Sequence, residues 1–244
     1  MAPRAHSLGA VLTDDLLELQ RLDTTADQLA HRRQHAPERT AASEAAAALA
    51  AHRRRHAAAV ERSEELEMAV DALERDGEQL GAQRTRLEAQ LRTVIAPREA
   101  EALMHELSTL AERRDALDDQ ELESLEEQSS LADEITAMDV ATPAIETSAR
   151  DAAAALAGLE AEIDGELAGI AAERAALVPR IDGAAIARYD RLRARLGGVA
   201  VARLDGSRCG GCHLDLSTSE LEEVRAVGPG VLADCPQCGR MLVP

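Results

Sequence analysis

Cys209-Gly210-Gly211-Cys212 and Cys235-Pro236-Gln237-Cys238 hold all four cysteines of the chain, as two CxxC pairs inside the last 36 residues. A CxxC pair bends the backbone so that two thiolates point at one metal ion, and two pairs supply the four soft ligands of tetrahedral zinc. Gly210, Gly211 and Gly239 suit such knuckles, because a tight turn that aims backbone N–H groups at sulfur leaves no room for a Cβ. Four protein thiolates leave no open position for water or substrate, so one Zn2+ held by Cys209, Cys212, Cys235 and Cys238 is structural and not catalytic. Other readings fit less well. A disulfide framework belongs to small secreted chains, and Met1 to Ala10 lacks the apolar core of a signal peptide. A redox CxxC needs a βαβ context, and a single iron lacks the usual apolar shielding in a chain with no Phe or Trp. His213 beside Cys212 reads as a solvated neighbour.

Upstream of the cysteines the composition changes. The chain has no Phe, no Trp and one Tyr, Tyr189; its basic side chains are all Arg, and its formal charge is −18. Ala, Leu, Glu and Arg dominate, a bias toward long helices with a narrow apolar stripe. From Arg180 onward 9 Arg stand against 8 Asp and Glu, and the preceding residues hold 18 Arg against 37 acids. The acidic part is therefore the helical one, and it repels nucleic acid. No run approaches the eighteen or so apolar residues of a membrane span, so the expectation is a soluble, cytoplasmic protein.

The leucines set the architecture. Leu12, Leu19, Leu22, Ala26 and Leu29 fall at a/d spacing, and Pro37 should interrupt the helix near His35-Ala36. Leu66, Leu73, Leu80 and Leu87 then recur every seven residues, with Val70 and Leu91 on the second seam position; Gly77 and Arg84 weaken that seam. A turn is predicted at Ile95-Ala96-Pro97. Beyond it Leu103, Leu110, Leu117, Leu131 and Met138 repeat in sevens, with Leu107 and Ile135 between. Folding Leu91 onto Leu103 sets Leu66 opposite Gln128 and Leu80 opposite Arg114, so strong positions oppose weak ones in an antiparallel pair. Ala141-Thr142-Pro143 is expected to break or kink the returning arm. Ala149, Leu156, Ile163, Ile170 and Leu177 carry it to Val178-Pro179.

A short helix is predicted over 184–196, with Ile186 and Tyr189 on one side and Arg188, Arg191 and Arg195 on another. Gly197-Gly198 stops it. Strands are expected at 199–204, Val231-Leu232 and 241–243, and Ser217-Thr218-Ser219-Glu220 is a capping box opening a helix through about Arg225. The fold class is mainly α: a long kinked antiparallel coiled-coil hairpin over 1–180, then a linker helix and a small β-rich zinc-ribbon module over 181–244.

Gly198-Val199-Ala200-Val201, Cys209-Gly210-Gly211-Cys212-His213 and Cys235-Pro236-Gln237-Cys238-Gly239-Arg240 with the Met241-Leu242-Val243 tail resemble a family of bacterial coiled-coil proteins ending in a four-cysteine zinc ribbon. The resemblance spans nearly the whole chain; Val243 replaces an aromatic often found near the C-terminus in that family. It implies a kinked antiparallel hairpin, a zinc-stabilised end and no enzymatic activity. Some relatives act in flagellar or type III secretion gene control by binding an alternative sigma factor or a transcript.

On function, the residues point to a non-enzymatic adaptor that docks a protein partner through the hairpin or the ribbon, with Arg188, Arg191 and Arg195 as candidate contacts. The alternative is an RNA- or DNA-binding regulator using the ribbon and the same arginines. The acidic hairpin and the lack of aromatics for base stacking weigh against it. A solvated helix face or ion pairs to the hairpin explain those arginines more simply than phosphate contact does. His105-Glu106 begins like a zinc-protease motif, but Thr109 stands where the second His belongs, so neither an enzyme nor a small-molecule substrate is expected. His31/His35 and His52/His56 have the i,i+4 spacing of a helical metal clasp, yet Arg32-Arg33 and Arg53-Arg54-Arg55 crowd them with positive charge.

Overall fold

The computed structural model describes residues 6–227 and 232–243, without the side chains of 6–12. The seam position of Leu12 and the strand position of Val231 lie outside that description. Prolines start the helices where the sequence places them. Helix α1 (His6–His35) ends before Ala36, α2 (Pro37–Leu91) opens on Pro37, and α3 (Pro97–Leu177) opens on Pro97. A proline at the first helical position lacks only an N–H that would have no partner anyway, and its φ is already helical.

Pro143 does not end α3, which runs on through it to Leu177; of the break or kink expected there, the break is absent. A helix-interior proline costs about 3 kcal/mol, and here the adjoining turn is tied to the opposite helix. The Thr142 hydroxyl donates to the Met138 carbonyl at 2.8 Å and lies 2.8 Å from His52 Nε2 of α2. Because the hydroxyl hydrogen is committed to Met138, Nε2 of the buried His52 carries the proton in that second bond.

The chain forms two compact units, one of residues 1–40 with 154–244 and the other of 41–153. The chain-order division at 180/181 runs through the first. Residues 41–153 are the hairpin of α2 and α3. Leu66, Val70, Leu110 and Met138 are buried along its seam. The hydrogen bond from His52 to Thr142 has the register that places Leu66 opposite Gln128, and a His56–Asp139 hydrogen bond with the ion pairs Arg53–Glu146 and Arg62–Glu127 flanks the seam. Each exposed pair adds at most about 1 kcal/mol, so the leucines hold the pairing and the charges select its direction. Gly77 is buried on the seam because the Arg114 guanidinium lies across it: a Cβ there would come 1.8 Å from Nη1.

The other unit joins helices to a sheet. After α3 come a single 3-10 turn (Val178–Arg180) and helix α4 (Gly183–Arg195), whose N-terminus is capped by Asp182, accepting from the N–H groups of Ala184 and Ala185. Gly197 and Gly198 follow with φ of +70° and +93°, the left-handed conformation that glycine adopts without steric cost. Four strands follow: β1 (Val201–Asp205), β2 (Arg208–Cys209), β3 (Ala233–Asp234) and β4 (Met241–Val243). Helix α5 (Thr218–Ala226) is inserted after β2, with the expected capping box between Ser217 and Glu220. The sheet order is β2-β1-β4-β3, and its two central strands, β1 and β4, run parallel.

Successive residues of a strand face opposite ways, and this splits the core in two. Val201, Met241 and Val243 pack with Leu16, Leu19 and Leu22 of α1, Leu177, Ile181, and Tyr189 and Leu192 of α4. Ala202 and Leu242, one residue over, pack with Cys209, Leu216, Val224, Ala233 and Cys235. Burying one such aliphatic side chain is worth about 1.5–3 kcal/mol. The sheet is thus the common wall of a helical core and a cysteine-bearing core. Leu16, which the heptad series passed over, is fully buried, because α1 meets α4 and the sheet as well as α3 and needs a wider apolar face.

Candidate metal centre

The two cysteine pairs are built alike. His213 N donates to the Cys209 carbonyl and Gly239 N to the Cys235 carbonyl, each at 2.8 Å; Cys209 N reaches the Leu214 carbonyl at 3.0 Å and Cys235 N the Arg240 carbonyl at 2.8 Å. The residue after the second cysteine is left-handed in both, Gly239 at φ +73° and His213 at φ +59°. His213 is exposed and bears a conformation that costs a non-glycine residue about 1–2 kcal/mol. Gly211 N donates to Cys209 Sγ at 3.4 Å. Gly210 plays another part from the one expected: its N–H goes to the Arg203 carbonyl at 2.9 Å, and a Cβ would stand 2.9 Å from that oxygen. A Cβ on Gly211 would meet the Arg240 side chain at 2.5 Å; Arg240 crosses the knuckle to donate to the Val199 and Leu196 carbonyls at 2.9 and 3.0 Å.

The four Sγ atoms lie within 4.8 Å of one another, with Cys212 and Cys235 at 3.9 Å. Zinc–sulfur bonds of about 2.3 Å in a tetrahedron set sulfurs roughly 3.8 Å apart, so the donor set fits one zinc ion. Burial pushes the Cys235 thiol up to about 12 and raises that of Cys212. Burial works in the same direction at Cys238, but hydrogen bonds from the Arg240 backbone and side chain, with help from neighbouring thiols, bring it down to about 7. Zinc binds thiolates, so it displaces the remaining protons, and affinity falls as pH falls. Among the described residues this is the one group of three or more Cys, His, Asp and Glu arranged to hold a metal.

The histidine pairs are otherwise engaged. His52 and His56 bond separately to Thr142 and Asp139, and His31 and His35 stack at 4.0 Å with His35 Nδ1 on the His31 carbonyl. Arg188, Arg191 and Arg195 do share a face of α4, but Arg188 forms an ion pair with Asp234 of β3. Arg191 and Arg195 are exposed.

Periodicity did not reveal the polar cluster beneath the sheet. Asp23 of α1 is buried; its Oδ2 accepts from the Tyr189 hydroxyl at 2.9 Å and its Oδ1 from Arg174 Nε at 2.9 Å, while Arg193 Nε lies 3.6 Å from Oδ2. Gln20 clasps the start of β1: its carbonyl oxygen accepts from Ala200 N at 2.7 Å and Val201 N at 3.3 Å, and its amide donates to the Gly198 carbonyl at 2.8 Å. Burial, then the Asp23 carboxylate, pushes the Tyr189 phenol above its ordinary range. The available sequence signal was the occurrence of Asp15, Gln20 and Asp23 beside the Leu16, Leu19 and Leu22 stripe.

A family model described as a CT398-like coiled coil hairpin domain matches residues 19–197, and one described as a C4-type zinc ribbon domain matches 208–242. An uncharacterized protein of Mycobacterium tuberculosis, recorded in two strains, is 31% identical over 244 residues, with 96% of each chain covered. Among solved structures, a protein from Mycobacterium smegmatis is 26% identical with a TM-score of 0.76, covering 100% of this chain and 99% of its own. CT398 from Chlamydia trachomatis is 21% identical with a TM-score of 0.84, covering 97% and 98%. The HP0958 protein of Helicobacter pylori is 19% identical with a TM-score of 0.59, covering 94% and 95%. The last two likenesses concern the fold alone.

Proposed function

Because this chain belongs to the CT398-like coiled-coil hairpin family and ends in a C4-type zinc ribbon, we propose that it is a non-enzymatic adaptor that docks protein partners. The observation that carries this reading is how the ribbon is used. One face of its sheet is spent on α1 and α4 and the other on the cysteines, and four thiolates complete a zinc shell. The metal module is then an internal brace, which leaves the outer helix faces and the knuckle edge for recognition. Arg191 and Arg195 belong to that recognition surface, with Arg188 positioned by Asp234. The resemblance of the ribbon motifs points the adaptor toward transcription- or secretion-related regulation in the cytoplasm. No described helix is long and apolar enough to cross a membrane.

The test is site-specific photocrosslinking in the native cell, with the crosslinking residue at Arg191, at Arg195, and at exposed positions along α2 and α3. Discrete protein adducts that recur at neighbouring positions are expected. Adducts to RNA or DNA alone would replace the adaptor with the nucleic-acid regulator, and absence of any adduct would refute docking.

A further inference from the structure

Along the hairpin of residues 41–153, the seam of α3 passes through Leu103, Leu110, Leu117, Ser124 and Leu131, with Leu107, Arg114, Glu121 and Gln128 between them; all are at least half-buried. Met104, Ala111, Asp118 and Leu125 form the next row, one residue outside the seam. Met104 is 53% exposed, Leu125 41%, and Leu122, one turn from Leu125, 59%. Between Met104 and Leu125 the same side opens into a groove of about 210 Å³ lined by Gly77, Leu80, Gly81, Arg84, Leu110, Ala111 and Arg114. Gly81 and Ala111 are too small to close over Leu80 and Leu110. Single exposed apolar residues are ordinary. Here three of them and the seam leucines Leu80 and Leu110 follow one side of the hairpin, from Met104 to Leu125 of α3, about 30 Å of helix.

The surroundings are predominantly acidic. The matching outer rows of α2 carry Glu67 and Glu74, then Glu64, Asp71 and Glu78, all exposed. From Asp115 to Ala149, α3 holds 11 acids and no Arg. The two arginines in the groove are partnered or adjacent to acids, Arg84 with Glu88 and Arg114 with Asp118.

We propose that this side of the hairpin is the docking surface for a basic amphipathic helix of another protein. The inference rests on the adaptor reading and names its partner's chemistry. Leu- or Met-type side chains of the partner meet Met104, the Leu80/Leu110 groove and Leu122/Leu125, while its Lys and Arg rows face the α2 carboxylates, the usual way an amphipathic helix fills a groove. A second copy of this chain would bring the same carboxylate rows to the contact and be repelled.

The probe is a fluorescent Leu/Lys peptide of about 20 residues, long enough as a helix to match the track, titrated by anisotropy into the zinc-loaded full chain at physiological salt. A peptide of identical composition with alternating order controls for charge alone. Leu122→Gln with Leu125→Gln, and separately Glu67→Gln with Glu74→Gln, alter exposed side chains only, and circular dichroism checks that each variant is folded. Glu166→Gln with Glu222→Gln removes two acids elsewhere. Binding of the helical peptide should weaken at least tenfold in each face variant and less than twofold in the distant one, with the alternating peptide at least tenfold weaker throughout. Equal binding by both peptides, unchanged binding by the face variants, or no binding to the wild type would each overturn the assignment. None of these peptide-binding outcomes changes which adducts form in the native cell, the measurement by which the adaptor reading stands or falls separately.

Discussion

Replacing Asp23 by Ala should destabilise the unit of residues 1–40 and 154–244 by about 3 kcal/mol. The carboxylate receives the Tyr189 hydroxyl and Arg174 Nε at 2.9 Å each, with Arg193 Nε at 3.6 Å. A hydrogen bond to a charged partner is worth about 1.5–3 kcal/mol. Losing all three would exceed the predicted total, but the two arginines are partly exposed and regain water, so their share is small. Tyr189 is fully buried and cannot; its orphaned hydroxyl costs about 1–3 kcal/mol, to which the remaining charge loss adds. Three kcal/mol is roughly a hundredfold change in the folded ratio. Tyr189 is the one aromatic residue of the chain, so its fluorescence during urea unfolding reports this unit without interference. A shift below about 1 kcal/mol, with native-like Tyr189 emission, would refute the reasoning and show that the apolar core alone seats α4. Tyr189→Phe should cost less than Asp23→Ala, because the carboxylate keeps Arg174.

Cys235→Ser should abolish zinc binding and shift Tyr189 emission, because Val201, Met241 and Val243 share its core. Far-ultraviolet helicity should be largely kept, since no ribbon residue belongs to the 41–153 hairpin; complete loss of helix would show that the hairpin depends on the metal. The Tyr189 phenol is raised by burial and by Asp23, so its contribution to stability is full below the unfolded value of about 10 and declines as pH rises beyond it. Absorbance titration should therefore show phenolate appearing late and together with unfolding, whereas a simple transition near pH 10 would contradict the buried site. Gly77→Ala meets only the far end of a flexible arginine; with Arg114 displaced, thermal melting should show a gain of up to about 1 kcal/mol from helix propensity, and a loss would mean that the guanidinium needs its place over the seam.

Much was legible beforehand. The cysteine spacing specified the ribbon and its ion, because metal geometry restricts which short loops can deliver four thiolates. Pro37 and Pro97 marked two helix starts, since the missing N–H acts on its own turn. The seven-residue leucine series specified the pairing of α2 with α3, because in a two-helix seam each residue meets one predictable partner. Pro143 does not stop its helix; the adjoining Thr142 is held by His52, ninety residues away in the chain, a contact that no local rule reads. Arg188, a candidate partner contact, pairs with Asp234, an acid in another segment that its own helix does not reveal.

Some features belonged to the tertiary structure alone. β1 and β4 pair in parallel although the chain between them carries both knuckles and α5. That pairing is what turns Val201 and Met241 toward α1 and their neighbours Ala202 and Leu242 toward the cysteines. Gln20 and Asp23 are polar neighbours of the leucine stripe in α1, and they are bonded there by the start of β1 and by Tyr189 of α4. The sequence by itself determined the elements and the metal, because local stereochemistry and ligand spacing act within a few residues. Only the tertiary structure decided that the ribbon and the helical base form one unit, because burial of a polar group depends on which distant segment closes over it.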